Sequence, residues 1–345
     1  MNIAVLVSGG VDSSVSLRLL KDAGHDVTAF YLKIWLEDEL SHLNACPWQE
    51  DLDFIREVCR SCDTKLEVVS MQTAYYNRVV EHTIAEAAAG RTPNPDIWCN
   101  SRIKFGLFLE QFPDFDKVAS GHYAQVKADD GQFCLYQSPD PVKDQTYFLA
   151  QLNAALLPKL MFPIGHLFKS EVRKLASDFS LVNATRKDSQ GICFLGKFKY
   201  RDFLAHYLGT KTGPILEFET KEKIGDHEGH WFYTKGQRKG IKLGQGPWYV
   251  VEKDVHQNIV YVSKQYFDDH HHRKSFSVDK VNWYKLPKDP ANLQLKLRHG
   301  PNFSSGSMDL TTNQIQLETN DLGLASGQLA AFYEDGWCLG SGVIV

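Results

Sequence analysis

Seven consecutive residues, Ser8 to Ser14, read SGGVDSS and follow directly on the apolar run Ile3 to Val7. Adjacent glycines let backbone N–H groups approach an anion, and a helix starting there adds the positive end of its dipole. Ser8, Ser13 and Ser14 contribute hydroxyl donors. The same residues also suit a tight strand-to-helix turn capped by Asp12 or Ser13. The run lacks the GKS ending of a Walker A loop, and with it the lysine that grips terminal phosphates, so kinase-like chemistry loses support. Two cysteines stand in unusual settings. Cys99 lies in TPNPDIWCNSRIKF, behind two prolines and three residues after Asp96, near the expected start of a helix. Cys193 lies in DSQGICFLGKFKYRDFL, bracketed by Gly191 and Gly196 and followed by Lys197, Lys199 and Arg201. A helix N-terminus and nearby positive charge both favour thiolate. A buried structural cysteine is the alternative at either position.

The elements that would hold these residues alternate in type through the first half of the chain. Ile3 to Val7 reads as a buried strand, Asp12 to Ala23 as a helix ended by Gly24, and Asp26 to Leu32 as the next strand. Cys46 to Cys62 has helical spacing, and Lys65 to Ser70 and Val118 to Ser120 read as strands. This rhythm predicts an α/β fold, a parallel sheet with helices on both faces, whose ligands sit at the carboxyl ends of the strands. The loops after Val7, after Phe30 and after Ser120 are then expected to converge. From about Gly213 the pattern becomes short strands between turn residues, among them 258–262, 293–298, 314–318 and 328–333. The expected organisation is an α/β domain over 1–206, a small, mostly β central domain over 207–273, and a β domain over 274–345.

At 345 residues two or three domains are expected, and 43% hydrophobic with 23% charged residues is an ordinary globular balance. The net charge of −4 does not by itself suggest a polyanionic partner, but its distribution is uneven. Residues 183–242 hold 12 Lys and Arg against 7 Asp and Glu. The seven cysteines are scattered and odd in number, which excludes a secreted disulfide framework. With no signal-like or membrane-spanning run, a cytoplasmic protein with no membrane partner is expected. Cys59 and Cys62 form one CxxC without further ligands nearby, and His270 to His272 reads as a solvated loop, so no metal site is predicted.

SGGVDSS at the end of a first strand resembles the pyrophosphate loop (PP-loop) of N-type ATP pyrophosphatases, which adenylate a substrate. Together with TPNPDIWCN and DSQGICFLG it resembles the tRNA-specific 2-thiouridylase family. Further matching pieces are ASGHYAQV (119–126), KDQTYFLA (143–150), FPIGHLFKSEVRKLA (162–176), TKGQRKGIKLG (234–244) and WYVVEKD (248–254). The resemblance covers nearly the whole chain.

It implies ATP-dependent exchange of oxygen for sulfur at C2 of the wobble uridine, U34, in tRNAs for Glu, Gln and Lys. ATP would be held by Leu6, Val7, Ser8, Gly9, Gly10, Val11, Asp12, Ser13, Leu32 and Gly121, and Mg2+ is expected to accompany it. Cys193 would carry the sulfur as a persulfide, and Cys99 would form a disulfide with it as the sulfur is released. Their α-carbons must then approach within roughly 7 Å, which predicts a mobile segment around Cys193. Asp96 is the implied acid or base. Asn94, Pro95 and Asp96 would face the target base, with further tRNA contacts at His122, Lys143, Asp144, Gln145, Arg298, His299 and Gln328. TKGQRKGIK would face phosphate, and the C-terminal strands would form a β-barrel against the anticodon arm. The implied partners are tRNA and a persulfide-donating sulfur carrier or cysteine desulfurase. No stably bound metal or iron–sulfur cluster is expected. Leu32 stands where the family usually has methionine, and the serine and arginine ahead of IKF replace its more usual acidic or aromatic residues. An amidating or ligating synthetase on the same loop, or a tRNA-binding protein without catalysis, are the alternatives.

Overall fold

A computed structural model of the chain describes residues 1–34, 48–188, 199–265, 273–321 and 323–345. Cys46, Cys193 and His270 to His272 lie outside the described residues. The N-terminal sheet has five parallel strands in the order β3 (Lys65–Ser70), β2 (Asp26–Lys33), β1 (Asn2–Leu6), β4 (Lys117–Ser120), β7 (Leu160–Met161). Strand β1 is buried from Ile3 to Leu6 because both of its faces are covered. Ile3 and Val5 pack on one side, with helices α1 (Val11–Asp22) and α2 (Trp48–Ser61). Ala4 and Leu6 pack on the other, with the helical segment from Gln72 to Ala88 and the segment that begins at α3 (Pro95–Cys99). In α2 the buried set Leu52, Ile55, Val58 and Cys59 forms one helical stripe, which places the CxxC cysteines inside the fold. Strand β2 runs three residues past Phe30, after which a loop is expected, because β3 supplies a partner as far as Lys33 opposite Ser70.

The central unit is a four-stranded sheet in the order β10 (Tyr249–Asp254), β11 (Ile259–Ser263), β8 (Gly213–Glu217), β9 (Lys223–His227). Its small core is Ile215, Tyr233, Ile241, Trp248, Val250, Val260 and Val262. The C-terminal strands β12 (Arg273–Trp283), β13 (Leu293–Lys296), β14 (Ser304–Asp309), β15 (Gln314–Asp321), β16 (Leu329–Glu334) and β17 (Trp337–Ile344) close into an antiparallel barrel through the β12–β17 pairing. Closure removes the sheet edges. A hairpin from the first half of the chain, β5 (Ala124–Asp129) and β6 (Gln132–Gln137), leaves the parallel sheet and extends the barrel by pairing with β17. One hydrophobic cluster therefore runs from β1 through the Cys99 segment into Leu329, Tyr333, Cys338 and Val343 of the barrel.

Candidate active site

The SGGVDSS run covers the loop after β1 and the first turn of α1. Gly9 has φ +75°, and a β-carbon there would lie 2.9 Å from Arg186 Nη1 and from the Asp51 carbonyl, so conformation and space both require glycine. The loop is fixed from behind. Asn183 Nδ2 donates to the Gly9 carbonyl and to Ser14 Oγ, each at 2.9 Å, and Arg186 donates to the same carbonyl at 3.0 Å and to Asp51 at 2.5 Å. Burial raises the Asp51 pKa, which the Arg186 guanidinium opposes. Ser13 Oγ accepts from the Ser8 N–H at 3.2 Å and donates to the Gly10 carbonyl at 3.0 Å. With the Gly9 and Gly10 carbonyls occupied, the N–H groups of Gly9, Gly10 and Val11 have no protein partner among the described residues. Such N–H groups at a helix start suit a polyphosphate.

Positive charge meets this loop from the other half of the α/β unit. Lys169, at the start of α4 (Lys169–Asp178), reaches both Asp12 oxygens at 2.7 and 2.9 Å and Asp188 at 2.8 Å. Asp188 also receives Lys143 at 2.7 Å and Arg173 at 2.5 Å. Although burial raises its pKa, the hydrogen bonds from Lys143 and Lys169 hold it down to about 2. Lys169 thus stands where the loop lacks a lysine of its own.

The turn after β4 joins this loop to Cys99. A β-carbon on Gly121 would lie 2.6 Å from the Ser13 nitrogen, so this turn closes directly on the first turn of α1. Tyr123 donates its hydroxyl to Asp12 at 2.9 Å. Between them His122 bonds Ser120 Oγ through Nδ1 at 2.7 Å and packs its ring 5.8 Å from Phe105, on the Cys99 segment. Burial, with the Lys104 charge adding, lowers its pKa to about 3, so the imidazole is neutral.

Cys99 ends α3, which begins with Pro95 at its first position and Asn94 as cap, the Asn94 side chain accepting from the Asp96 N–H at 3.2 Å. From Asn100 to Leu107 the helix continues in π form. Cys99 is 0% exposed, and burial pushes its thiol up to about 11. Lys104 opposes this rise, as does the neighbouring Tyr75 hydroxyl, while Asp96 adds to it. The thiolate expected from the helix start is corrected here: desolvation outweighs the short helix and keeps the resting thiol protonated.

Comparison with known proteins shows where this arrangement belongs. The tRNA-specific 2-thiouridylase MnmA of Parabacteroides distasonis is 44% identical over 357 residues, covering 100% of this chain and 99% of that protein. The protein of the same name from Porphyromonas gingivalis is 44% identical over 358 residues, and MnmA 1 of Bacteroides thetaiotaomicron 43% over 355, with the same coverage. The chain belongs to the tRNA-specific 2-thiouridylase family. Three domain families match in succession: a tRNA methyl transferase HUP domain over 1–197, a tRNA methyl transferase PRC-barrel domain over 201–264, and an aminomethyltransferase β-barrel domain over 273–344.

The other residues expected of a 2-thiouridylase fall into three groups. Asn94, Pro95, Asp96 and His122 lie on the Cys99 side of the site, while Lys143 and Gln145 are drawn toward the nucleotide loop. Gln145 clamps Tyr123 through its side-chain oxygen and its backbone N–H, at 2.9 and 2.8 Å. Leu32 lies within β2, opposite Val69. Arg298, His299 and Gln328 come from the barrel. His299 packs on Phe148, with ring centroids 4.7 Å apart and the planes tilted by 37°, and the Phe148 carbonyl accepts from Asn100 Nδ2 at 3.1 Å, next to Cys99. Arg298 pairs with Asp321 beside a cavity of about 340 Å³ at the barrel rim. Gln328 follows Gly327, which packs against Arg91 and Thr92 just ahead of the Cys99 segment. Asp144 departs from expectation. It is 1% exposed, bonds Lys296 of β13 at 2.6 Å, and accepts from Thr146 at 2.8 Å and from the Ser138 N–H at 3.1 Å, so its carboxylate faces the interior.

Lys169, Asp188, Arg173, Asn183 and Arg186 escaped the residue-level reading. Lys169 and Arg173 lie inside FPIGHLFKSEVRKLA, where a lysine opening a helix was the available signal. Among the described residues no group of three or more His, Cys, Asp or Glu is placed to hold a metal ion, and no helix is long and apolar enough to cross a membrane.

Proposed function

We propose that this chain uses ATP to exchange the C2 oxygen of uridine 34 for sulfur in tRNAs for Glu, Gln and Lys, through a Cys193 persulfide and a Cys99–Cys193 disulfide. The observation that carries the reading is the turn Gly121 to Tyr123, which touches the phosphate-ready loop on one side and the Cys99 segment on the other. Although the matching domain families are described in terms of methyl transfer, an ATP loop beside a cysteine segment suits activation of an oxygen and its replacement by sulfur.

ATP, when bound, turns the C2 oxygen into a leaving group by adenylation. The N–H groups of Gly9, Gly10 and Val11 hold phosphate oxygens, and Lys169 and Lys143 leave their carboxylates to neutralise them. Mg2+ would accompany the nucleotide, and Asp12 of the loop and Asp188, bridged to it by Lys169, are the carboxylates that would hold it. Asn94 to Asp96 seat the uracil once it is flipped from its stack. Cys99 gives up its proton to a base, for which Asp96 is the nearest carboxylate, and its thiolate attacks the inner sulfur of the Cys193 persulfide. The terminal sulfur leaves as hydrosulfide with the electron pair of the broken S–S bond and takes the place of the activated oxygen at C2. A thiol reductant then supplies two electrons to reopen the disulfide. A sulfur carrier or cysteine desulfurase reloads Cys193, and the site of action is the cytoplasm.

Incubation with ATP, a persulfide source and unmodified tRNA, followed by nucleoside mass analysis, tests the reading. The expected product is 2-thiouridine, with AMP and pyrophosphate released and no product without ATP. A methylated nucleoside, or unchanged thiolation by Cys193→Ser, contradicts it.

A further inference from the structure

Trp98 and Arg102 take no part in the chemistry above. They lie on or beside one of two adjacent π-helical runs, Tyr76–Val80 and Asn100–Leu107. Such runs are rare and recur at functional sites. Each presents an arginine to the other: Arg102 Nη1 donates to the Arg78 carbonyl at 2.7 Å, and Arg78 Nη1 to the Arg102 carbonyl at 3.4 Å. The Arg102 guanidinium lies 4.1 Å from the centroid of the Trp98 ring, which also meets His82 edge-on at 5.1 Å.

Positive charge accumulates around this ring. Burial, then repulsion from Arg78, lowers the Arg102 pKa, and burial lowers that of His82, with Arg102, Lys280 and Arg91 adding. Asp279 acts on Arg91 as well, yet the four cations Arg78, Arg91, Arg102 and Lys280 still outnumber the three carboxylates Glu86, Glu110 and Asp279. Glu86 is held through both oxygens by Arg91, at 2.6 and 2.7 Å, and Glu110 reaches only within 3.8 Å of Arg78 from an exposed position. Like charges gathered at a half-exposed surface repel in the unbound protein, and an incoming anion relieves that repulsion.

We infer that Arg78 and Arg102, backed by Trp98, form a seat for a backbone phosphate of the RNA, on the same helical segment that begins with Asn94 to Asp96. Guanidinium groups match phosphate geometry, and stacking on Trp98 keeps Arg102 oriented. Lys280, exposed on β12, adds a point charge from the barrel side. The inference rests on tRNA being the substrate. The alternative is that Arg102 only covers Trp98.

The test is the salt dependence of unmodified tRNA binding by the full chain, compared with Arg78→Gln, Arg102→Gln, Arg102→Lys and the double glutamine variant. Removing one arginine–phosphate pairing makes the slope of log K against log salt shallower by about 1. The glutamine variants are expected to show that change and the lysine variant to keep the parent slope. The double variant is expected to keep making 2-thiouridine at low salt and saturating tRNA. An unchanged slope in variants that melt like the parent overturns the seat. Should Arg102→Gln fail to fold, Arg78→Gln, whose side chain is exposed, decides alone. A parent chain that does not bind tRNA at all overturns the proposed function instead, and that result is distinguishable from an unchanged slope.

Discussion

At the scale of single residues, Lys169 and Cys99 carry the most specific expectations. Lys169 joins Asp12 and Asp188, so in the resting protein its charge is occupied by carboxylates that the proposed polyphosphate would displace. Charge-assisted hydrogen bonds contribute roughly 1.5–3 kcal/mol. Lys169→Met should therefore raise the KM for ATP by roughly ten- to hundredfold while leaving tRNA affinity unchanged, as steady-state kinetics and a binding titration would show. Asp188 adds a pH signature. Its folded pKa of about 2 lies below the ordinary 3.8, so its contribution to stability is complete above pH 4 and is lost as pH falls toward 2. Asp188→Asn should flatten that acid limb in urea melts. For Cys99 the sign reverses. The buried thiol, at about 11 against an ordinary 9.0, favours the protonated folded state, so stability falls as pH rises from 9 to 11. Cys99→Ser should weaken that alkaline loss, and iodoacetamide should leave Cys99 of the free protein unmodified at pH 8 under conditions that label exposed cysteines.

At the scale of elements, the parallel sheet was legible because its strands are short apolar runs separated by helical stripes and turn residues. Lys65–Ser70 coincides with the expected strand, and α1 and β2 lie within a residue or two of theirs. The π-helical runs were not legible, since their extra residue per turn leaves no mark on apolar spacing this short. The departure of β5–β6 to the barrel escaped for another reason. Its alternation is local, but its partner β17 lies some 200 residues away in sequence. In the site, the glycines and Cys99 declared themselves by type and spacing, whereas Lys169 and Asp188 matter only through distances that folding creates. Gly340 shows how tightly the barrel depends on one position. It has φ +149°, and a β-carbon there would lie 2.1 Å from the Asn282 carbonyl across the β12–β17 closure. Gly340→Val should open that pairing and lower Tm by several degrees, read by calorimetry. An unchanged Tm would refute this account of closure.

At the scale of the whole molecule, the barrel and the catalytic sheet are one body joined by a buried charge pair. The buried side chains of Lys296 and Asp144 meet at 2.6 Å, with Thr146 and Tyr333 in the same network. Removing one partner leaves a buried charge and costs about 3–5 kcal/mol, whereas replacing both with apolar groups of similar volume costs far less. Lys296→Met should therefore destabilise more than the Lys296→Met, Asp144→Leu pair, a comparison that urea melts resolve. The same joint places His299 and Gln328 of the barrel beside the Cys99 segment, so the proposed RNA contacts of the barrel, the cysteine and the nucleotide loop fall on one body. That convergence is the central claim, and a single turnover without reductant tests it most directly. Protein carrying a Cys193 persulfide is mixed with ATP and unmodified tRNA, and both the nucleosides and the tryptic peptides are weighed. The account predicts one Cys99–Cys193 disulfide for each 2-thiouridine formed at position 34. Formation of 2-thiouridine with Cys99 still a free thiol would contradict it.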